Sequence, residues 1–353
     1  MKKQVKILLV GADLSSNGGI ASAVKVFYKA KNKKYRYTLL KTNYYKDKGL
    51  AFELIIAIKA LTKYFIFLIT NQFKIVHIHS SARISFYRKT IFLLLAILFQ
   101  KKAILHIHSS DFDEFFINTH GIKKIFIKLI LSLPTKIFVL CGDWKSKILE
   151  KYTLSADVIY NPISLNPPEP YRSKPKSISI LFLGFFIQSK GITDLLNVIK
   201  HYTNSEAVNF IIAGKGDLKS TIIDTIKNNN IKNANFLGWA NEEMKNRILK
   251  EADVLFLPSF KEGMPIVILE AISHSMPIVS TNIAGIPELV INGYNGFICK
   301  PGDIENFIKA IDFFINCSEV IYNTFRSNSR QIAANFSDEI IVKQIESIYS
   351  SLI

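Results

Sequence analysis

Short, unbroken apolar runs recur along this chain, each followed by a stretch with helical spacing. VKILLV at 5–10, ISILFLG at 178–184 and VLFL at 254–257 show no polar alternation, the pattern of strands buried on both faces of a parallel sheet. Candidate strands fall at 4–10, 35–41, 74–79, 103–108 and 136–140, and again at 177–183, 208–213, 234–237, 253–257 and 277–280. Two such series predict two doubly wound α/β domains of Rossmann-like type. Between them, 161–176 reads NPISLNPPEPYRSKPK and holds five of the chain's 11 prolines, which marks a linker. The expected domains are therefore 1–165 and 176–336. FSDEIIVKQIESIYSSLI is amphipathic behind an N-cap at Ser337, so a terminal helix over about 337–353 packs back on the first domain. Ligands of open parallel sheets bind beyond the carboxyl ends of the strands, and two such edges are expected to face each other across a cleft.

The rest of the chain limits what can bind there. With 353 residues it is too long for one ordinary core, and a hydrophobic share of 49% excludes a disordered chain. Cys141, Cys299 and Cys317 are far apart and make neither a disulfide framework nor a CxxC pair, so a reducing cytoplasm is the simplest setting. The N-terminus, MKKQVKILLVGADLSSNGG, starts basic like a secretion signal, but its apolar run stops at Gly11 and reads as a first buried strand. The longest apolar stretch, Thr90 to Phe99, is about half of what a membrane span needs.

Charge is uneven. Residues 1–175 hold 29 Lys+Arg against 10 Asp+Glu, a balance of +19, while residues 176–353 hold 16 against 18, a balance of −2. The basic half interleaves its lysines with long aliphatics and aromatics, as in ELIIAIKALTKYFIFLIT at 53–70 and RISFYRKTIFLLLAILF at 83–99. That mixture suits an anionic membrane surface better than a nucleic-acid phosphate groove. Buried helices with solvated lysines are the competing reading.

Several strand ends carry candidate binding residues. In SFKEGMPIVILEAISHSMPIVSTNIAGIPELV at 259–290, Glu270 is the single formal charge between Glu262 and Glu288. Pro265 suits a first helical turn, so a helix is expected from about 264 with Glu270 buried on it. A buried carboxylate needs donors, from backbone N–H groups or a lysine, or from ligand hydroxyls. SSNGG after the first strand offers Gly18 and Gly19 to an anion at a helix start, without the GxGxxG spacing of a dinucleotide site. VHIHSS at 76–81 and LHIHSSD at 105–111 repeat a pattern in which His106 and His108 share a sheet face and His108 ends its strand. His77 and His79 read as packing or hydrogen-bonding residues, and no carboxylate cluster suggests a metal. In LFLGFFIQSKG, Lys190 follows a strand and is placed to meet phosphate. Gly184, Gly214, Gly216 and Gly238 lie at successive strand ends and leave room for a flat base.

Together these features resemble the retaining glycosyltransferases of family four, which have the two-domain GT-B fold. The resemblance spans nearly the whole chain and is strongest in EADVLFLPSFKEGMPIVILEAISHSMPIVSTNIAGIPELVINGYNGFICKPGD at 251–303, including glutamates separated by seven residues, Glu262 and Glu270. ILHIHSSDFDEFF is similar to bacterial members that build capsule, O-antigen or exopolysaccharide chains. The resemblance implies that Glu270 holds the ribose hydroxyls of a nucleotide sugar and that Glu262 sits under the sugar ring. It assigns the diphosphate to Lys190, the Gly19 backbone and the helix start at Gly263, Met264, Pro265 and Ile266. His108 would contact the sugar from the opposite domain, and Gly184, Gly214 and Gly238 would line the donor. It further implies no metal and no cofactor beyond the donor substrate, a polyprenyl-linked glycan acceptor, and attachment to the inner face of the cell membrane. One position departs from the pattern: the family carries arginine after the strand glycine, and here LGFF has Phe185. A degenerate homologue binding a nucleotide or a partner enzyme is therefore an alternative, as is a nucleotide-sugar epimerase, which shares the fold but not the signature.

Overall fold

A computed structural model describes residues 4–15, 19–30, 34–42, 50–70, 72–109, 112–167 and 171–353. Gly18, Ser110 and Asp111 lie outside the described residues. The chain divides into two compact units, Met1–Pro162 with Asp338–Ile353, and Ile163–Ser337.

The first unit contains β1 (Val5–Gly11), α1 (Gly19–Lys29), β2 (Tyr35–Lys41), α2 (Leu50–Ile69), β3 (Ile75–Ser80), α3 (Ile84–Leu98) and β4 (Lys102–Ile107). It continues with α4 (Phe112–Ile117), α5 (Gly121–Ser132), β5 (Lys136–Val139), α6 (Gly142–Tyr152) and β6 (Asp157–Val158). Its six strands form one sheet in the order β2-β1-β3-β4-β5-β6, and the ladders are parallel. The run ILLV at Ile7–Val10 is wholly buried, as a strand covered on both faces must be.

The second unit runs β7 (Ile178–Phe185), a 3₁₀ turn (Gln188–Lys190), α7 (Ile192–His201), β8 (Val208–Lys215), α8 (Lys219–Asn228), β9 (Ala234–Gly238), α9 (Glu242–Glu251) and β10 (Val254–Leu257). It ends with α10 (Ile266–Ser273), β11 (Ile278–Thr281), α11 (Ile286–Leu289), β12 (Gly296–Cys299), α12 (Ile304–Asn316) and α13 (Glu319–Ala334). Its sheet is also six-stranded and parallel, in the order β12-β11-β10-β7-β8-β9. The final helix, α14 (Asp338–Ser351), belongs to the first unit, where Ile341, Ile345 and Tyr349 join the core formed by Ile7, Leu9, Phe27, Ile104 and Phe138. An apolar stripe at i, i+4 and i+8 gives this helix the face it buries.

Among the described residues two strands lie beyond the ten expected. β6 has only two residues, and β12, GFIC, begins on the last glycine of the turn-rich NGYNG, which masks it as a turn.

The carboxyl ends of β7 and β8 are drawn together by glycine. In the parallel register Gly184 stands opposite Gly214, whose φ is 153°, and a Cβ on Gly214 would lie 1.8 Å from the Gly184 carbonyl oxygen. The contact is with backbone, so no side chain can move aside. Gly214→Ala is therefore expected to destabilise the second unit by at least about 2 kcal/mol, from overpacking and an unfavourable φ. Denaturant unfolding followed by tryptophan fluorescence measures it, and an unchanged midpoint would show that the β7–β8 end is looser than described.

Candidate functional site

The loop after β7 and the loop after β10 are stitched together in the second unit. Gly191 has φ 71°, and a Cβ there would sit 1.9 Å from the Pro258 carbonyl oxygen, so the loops touch backbone to backbone. The Phe260 N–H donates to the Ser189 carbonyl at 2.9 Å. This contact sets Lys190 beside Glu262: its Nζ lies 2.6 Å from Glu262 Oε1, and the Ser259 hydroxyl donates to the same oxygen at 2.8 Å. Glu262 is 8% exposed, so a single carboxylate oxygen receives both an ammonium and a hydroxyl in a poorly solvated place.

Glu270 is the second glutamate of the pair, on α10. Pro265, expected inside the first turn, is instead the N-cap with φ −69° and ψ 117°, and the helix starts at Ile266. Glu270 is not fully buried as expected, because its side chain keeps 18% of its surface. Its partner is Lys245 of α9, at 2.6 Å. Burial pushes the Glu270 carboxyl above its usual range, and the Lys245 ammonium pulls it back only in part. Burial alone would favour loss of the Lys245 proton, but Glu270 and then Glu242 hold its pKa above the ordinary lysine value.

The remaining expected positions of this unit lie at strand ends and in the turns that follow them. Gly263 and Met264 are buried directly before α10, and the Gly263 carbonyl accepts from the Gly285 N–H at 2.9 Å. Gly238 ends β9 with φ 70°, and Gly184 and Gly214 face each other at the β7–β8 end. Phe185, the last residue of β7, is half-buried and lies 6.2 Å from Trp239, over whose ring Lys215 is held at 4.3 Å. A surface depression of about 620 Å³ bordered by Asn282, Cys299, Lys300 and Asp303 contains none of the lysine–glutamate pairs.

In the first unit Gly19 opens α1, and the histidines form a stack. Parallel pairing sets His79 opposite His106 on neighbouring strands. His79 Nδ1 and His108 Nε2 share a hydrogen bond of 2.9 Å, His77 Nε2 and His106 Nδ1 share one of 3.2 Å, and the Tyr349 hydroxyl of α14 meets His77 Nδ1 at 2.6 Å. Ring centroids of His106 and His108 are 4.1 Å apart. Burial pushes His77 and His108 down to about 3 and His79 and His106 well below the usual histidine value, so all four imidazoles are neutral near pH 7. One nitrogen each of His77, His79 and His106 lies within 4.8 Å of the others, a set that could hold a metal ion. Both nitrogens of His77 are, however, already engaged by Tyr349 and His106.

Residues 167–332 match the family model for glycosyl transferases group 1. The chain is 28% identical over 299 residues, 80% of each sequence, to a 41.2 kDa protein encoded in the cps region of Klebsiella pneumoniae. The second unit is thus similar to the group 1 glycosyltransferases. A further relative, 36% identical over 141 residues that cover 39% of this chain and 35% of its own, is the Escherichia coli UDP-Gal:α-D-GlcNAc-diphosphoundecaprenol α-1,3-galactosyltransferase. Among solved structures, Anabaena HepE in complex with UDP and glucose superposes with a TM-score of 0.72 at 16% identity, over 99% of this chain and 100% of that one. The fold is GT-B.

Three residues of this chain escape a reading of the sequence alone. Lys245 pairs with a glutamate 25 positions away, and Ser259 acts only because its loop curls under Glu262. Lys89 of α3 is 3% exposed and donates to the Thr42 hydroxyl, although it stands in a run that looks like solvated lysine on a helix. The buried imidazoles also predict a pH window. A histidine whose folded pKa is depressed adds stability above its unfolded pKa and loses it as pH falls. The first unit should weaken steadily from about pH 6.5 towards 3, and His77→Gln with His106→Gln should flatten that slope. Urea midpoints across that range check it, and equal slopes in both proteins would refute the neutral stack.

Proposed function

We propose that this chain is a retaining group 1 glycosyltransferase that moves a sugar from a nucleotide-diphosphate sugar to a polyprenyl-linked glycan acceptor in polysaccharide synthesis. The observation that carries the reading is the pair of lysine-bound glutamates inside the signature segment, Lys190 with Glu262 and Lys245 with Glu270. The cps-region relative, the diphosphoundecaprenol-dependent galactosyltransferase and the UDP complex of HepE support the substrate classes. Glu262 is tied to an ammonium and a hydroxyl, which suits it to hold a sugar hydroxyl rather than to attack carbon. In the proposed step the bond from the anomeric carbon to the diphosphate oxygen breaks while the acceptor oxygen bonds to the same face. The acceptor proton passes to the departing diphosphate. Lys190 neutralises the developing charge together with the N–H groups at the start of α10. His108, as a neutral imidazole, hydrogen-bonds a sugar hydroxyl. Lysine supplies the positive charge at the diphosphate, so turnover needs no divalent cation and survives a chelator.

Phe185, in place of arginine, favours a second reading, a homologue that binds nucleotide without turnover. Release of nucleoside diphosphate from a panel of donor sugars, with a polyprenyl diphosphate-linked sugar as acceptor, separates the two. Lys190→Ala should lower that turnover roughly 100- to 1000-fold, the usual loss for one preorganised electrostatic donor. Near-wild-type turnover would remove Lys190 from the site.

A lipid-linked acceptor calls for membrane attachment, which we place on the first unit, at the inner face of the cell membrane. Among the described residues no helix is long and apolar enough to cross a bilayer. Instead α5 turns Ile122, Ile125 and Leu129 to solvent at 83%, 68% and 57% exposure, a stripe at i, i+3 and i+7 flanked by Lys123, Lys124 and Lys128. The stripe continues onto α3, where Tyr87 stacks on Phe126 at 6.3 Å and Ile84 and Ile91 are exposed. Apolar residues facing outward between lysines suit an anionic interface. Ile122→Asp with Ile125→Asp should abolish sedimentation with vesicles containing phosphatidylglycerol without changing thermal unfolding, because both side chains are exposed. Salt of about 1 M should release the wild type by screening its lysines. Wild-type protein that stays in the supernatant at low salt would overturn the attachment.

A further inference from the structure

α3 carries Lys89 into the interior of the first unit, where it is 3% exposed. Its ammonium donates to the Thr42 hydroxyl, which in turn donates to the Gly11 carbonyl at 3.0 Å, and it lies 5.7 Å from the ring centroid of Phe92. Thr42 supplies one acceptor where an ammonium has three N–H donors, and among the described residues no carboxylate pairs with Lys89. Burial, with Arg88 adding like charge, holds its pKa well below the ordinary lysine value. A buried ammonium without a counter-charge destabilises the fold, and a lysine that only filled this space would be replaced by methionine at a gain.

The position of the ammonium points to its use. Gly11 ends β1 and Thr42 directly follows β2. In the order β2-β1-β3-β4 the winding of the sheet reverses between β1 and β3, and ligands of open parallel sheets bind at the carboxyl ends beside such a reversal. His79 of β3 stands on the other side of it. A Cβ on Gly11 would lie 3.7 Å from its ring, it is 1% exposed, and the charge of Lys89 acts on it. His79 Nδ1 is shared with His108, but His79 Nε2 is buried with no partner among the described residues. His108, in contact with His79, and Ser81, two residues further along the chain, are half-buried, so this edge opens to solvent. Resting on the acceptor reading given above, we propose that Lys89 and His79 form an anion site at this point of the first sheet, which takes a phosphate of the diphosphate in the lipid-linked acceptor. The ammonium offers two further N–H donors and His79 Nε2, when His108 donates to Nδ1, a third, and phosphate oxygens accept all of them. The bound anion then supplies the counter-charge that the ammonium lacks.

Calorimetry on the full-length protein tests this with geranyl diphosphate, a water-soluble isoprenoid diphosphate, with UDP, GDP and ADP present together to fill the donor site. The wild type should bind it, and Lys89→Met should weaken that binding by about 10- to 100-fold, as expected for losing charge-assisted hydrogen bonds. The variant should unfold at an equal or higher temperature, because methionine fills the same space without a buried charge. Titrated separately, the nucleotides should keep their affinity for Lys89→Met, and sedimentation with phosphatidylglycerol vesicles should be unchanged. A loss of nucleotide affinity would assign the site to the donor, and a loss of sedimentation to a lipid headgroup, and either overturns the proposal. So does a lysine that only supports the fold, which would lower the unfolding temperature and leave geranyl diphosphate binding intact. If Lys89→Met does not fold, Lys89→Gln, which can still donate to Thr42 but carries no charge, serves the same comparison. A wild type that does not bind geranyl diphosphate would defeat the acceptor reading as well, whereas binding that ignores residue 89 overturns this site alone.

Discussion

Burying a carboxylate is tolerable only when a cation or several hydrogen-bond donors come with it, and the second unit is arranged around that requirement twice. Glu262 lies in the loop after β10 and Glu270 on α10, and each receives an ammonium at 2.6 Å, one from the turn after β7 and one from α9. To bring Lys190 to Glu262, two loops must touch backbone to backbone, which is why Gly191 follows the lysine. The same closeness at the β7–β8 end requires Gly214. The close approach at Gly191 thus brings Lys190 within reach of Glu262.

The first unit solves a different problem with neutral groups. Four histidines on two neighbouring strands and the residue just past one of them would repel one another if charged, and burial keeps them uncharged so that they can stack and share protons. Tyr349 extends this arrangement into the C-terminal helix, so the last element of the chain fastens the middle of the first sheet. The same unit exposes an apolar stripe on α5 and α3 that its own core does not need. That outward patch is the surface the proposed membrane attachment would use.

Much of the architecture was legible beforehand because it follows from local pattern. Buried parallel strands announce themselves as continuous apolar runs, and ten of the twelve strands among the described residues fall where the sequence pattern puts them. β6 could not be placed, since two residues carry no pattern, and β12 could not, since GFIC begins on a glycine inside the turn-rich NGYNG. The signature segment made Glu262, Glu270 and the start of α10 visible, because those residues are close in sequence and their spacing is distinctive. Pro265 was read one position too far into its helix, as its fixed φ serves an N-cap and a first turn equally well.

The sequence by itself determined two α/β units, the signature glutamates, the glycine-marked strand ends and the strong positive charge of the first half, all of which depend on neighbours a few residues apart. The tertiary structure decided which groups touch: Lys190 with Glu262, Lys245 with Glu270, His79 with His108, and Tyr349 with His77. Each of these contacts joins elements 25 or more residues apart in the chain, the last of them 272 apart. Composition and periodicity carry no information about such pairs, because strand order and register bring them together only once the sheets have formed.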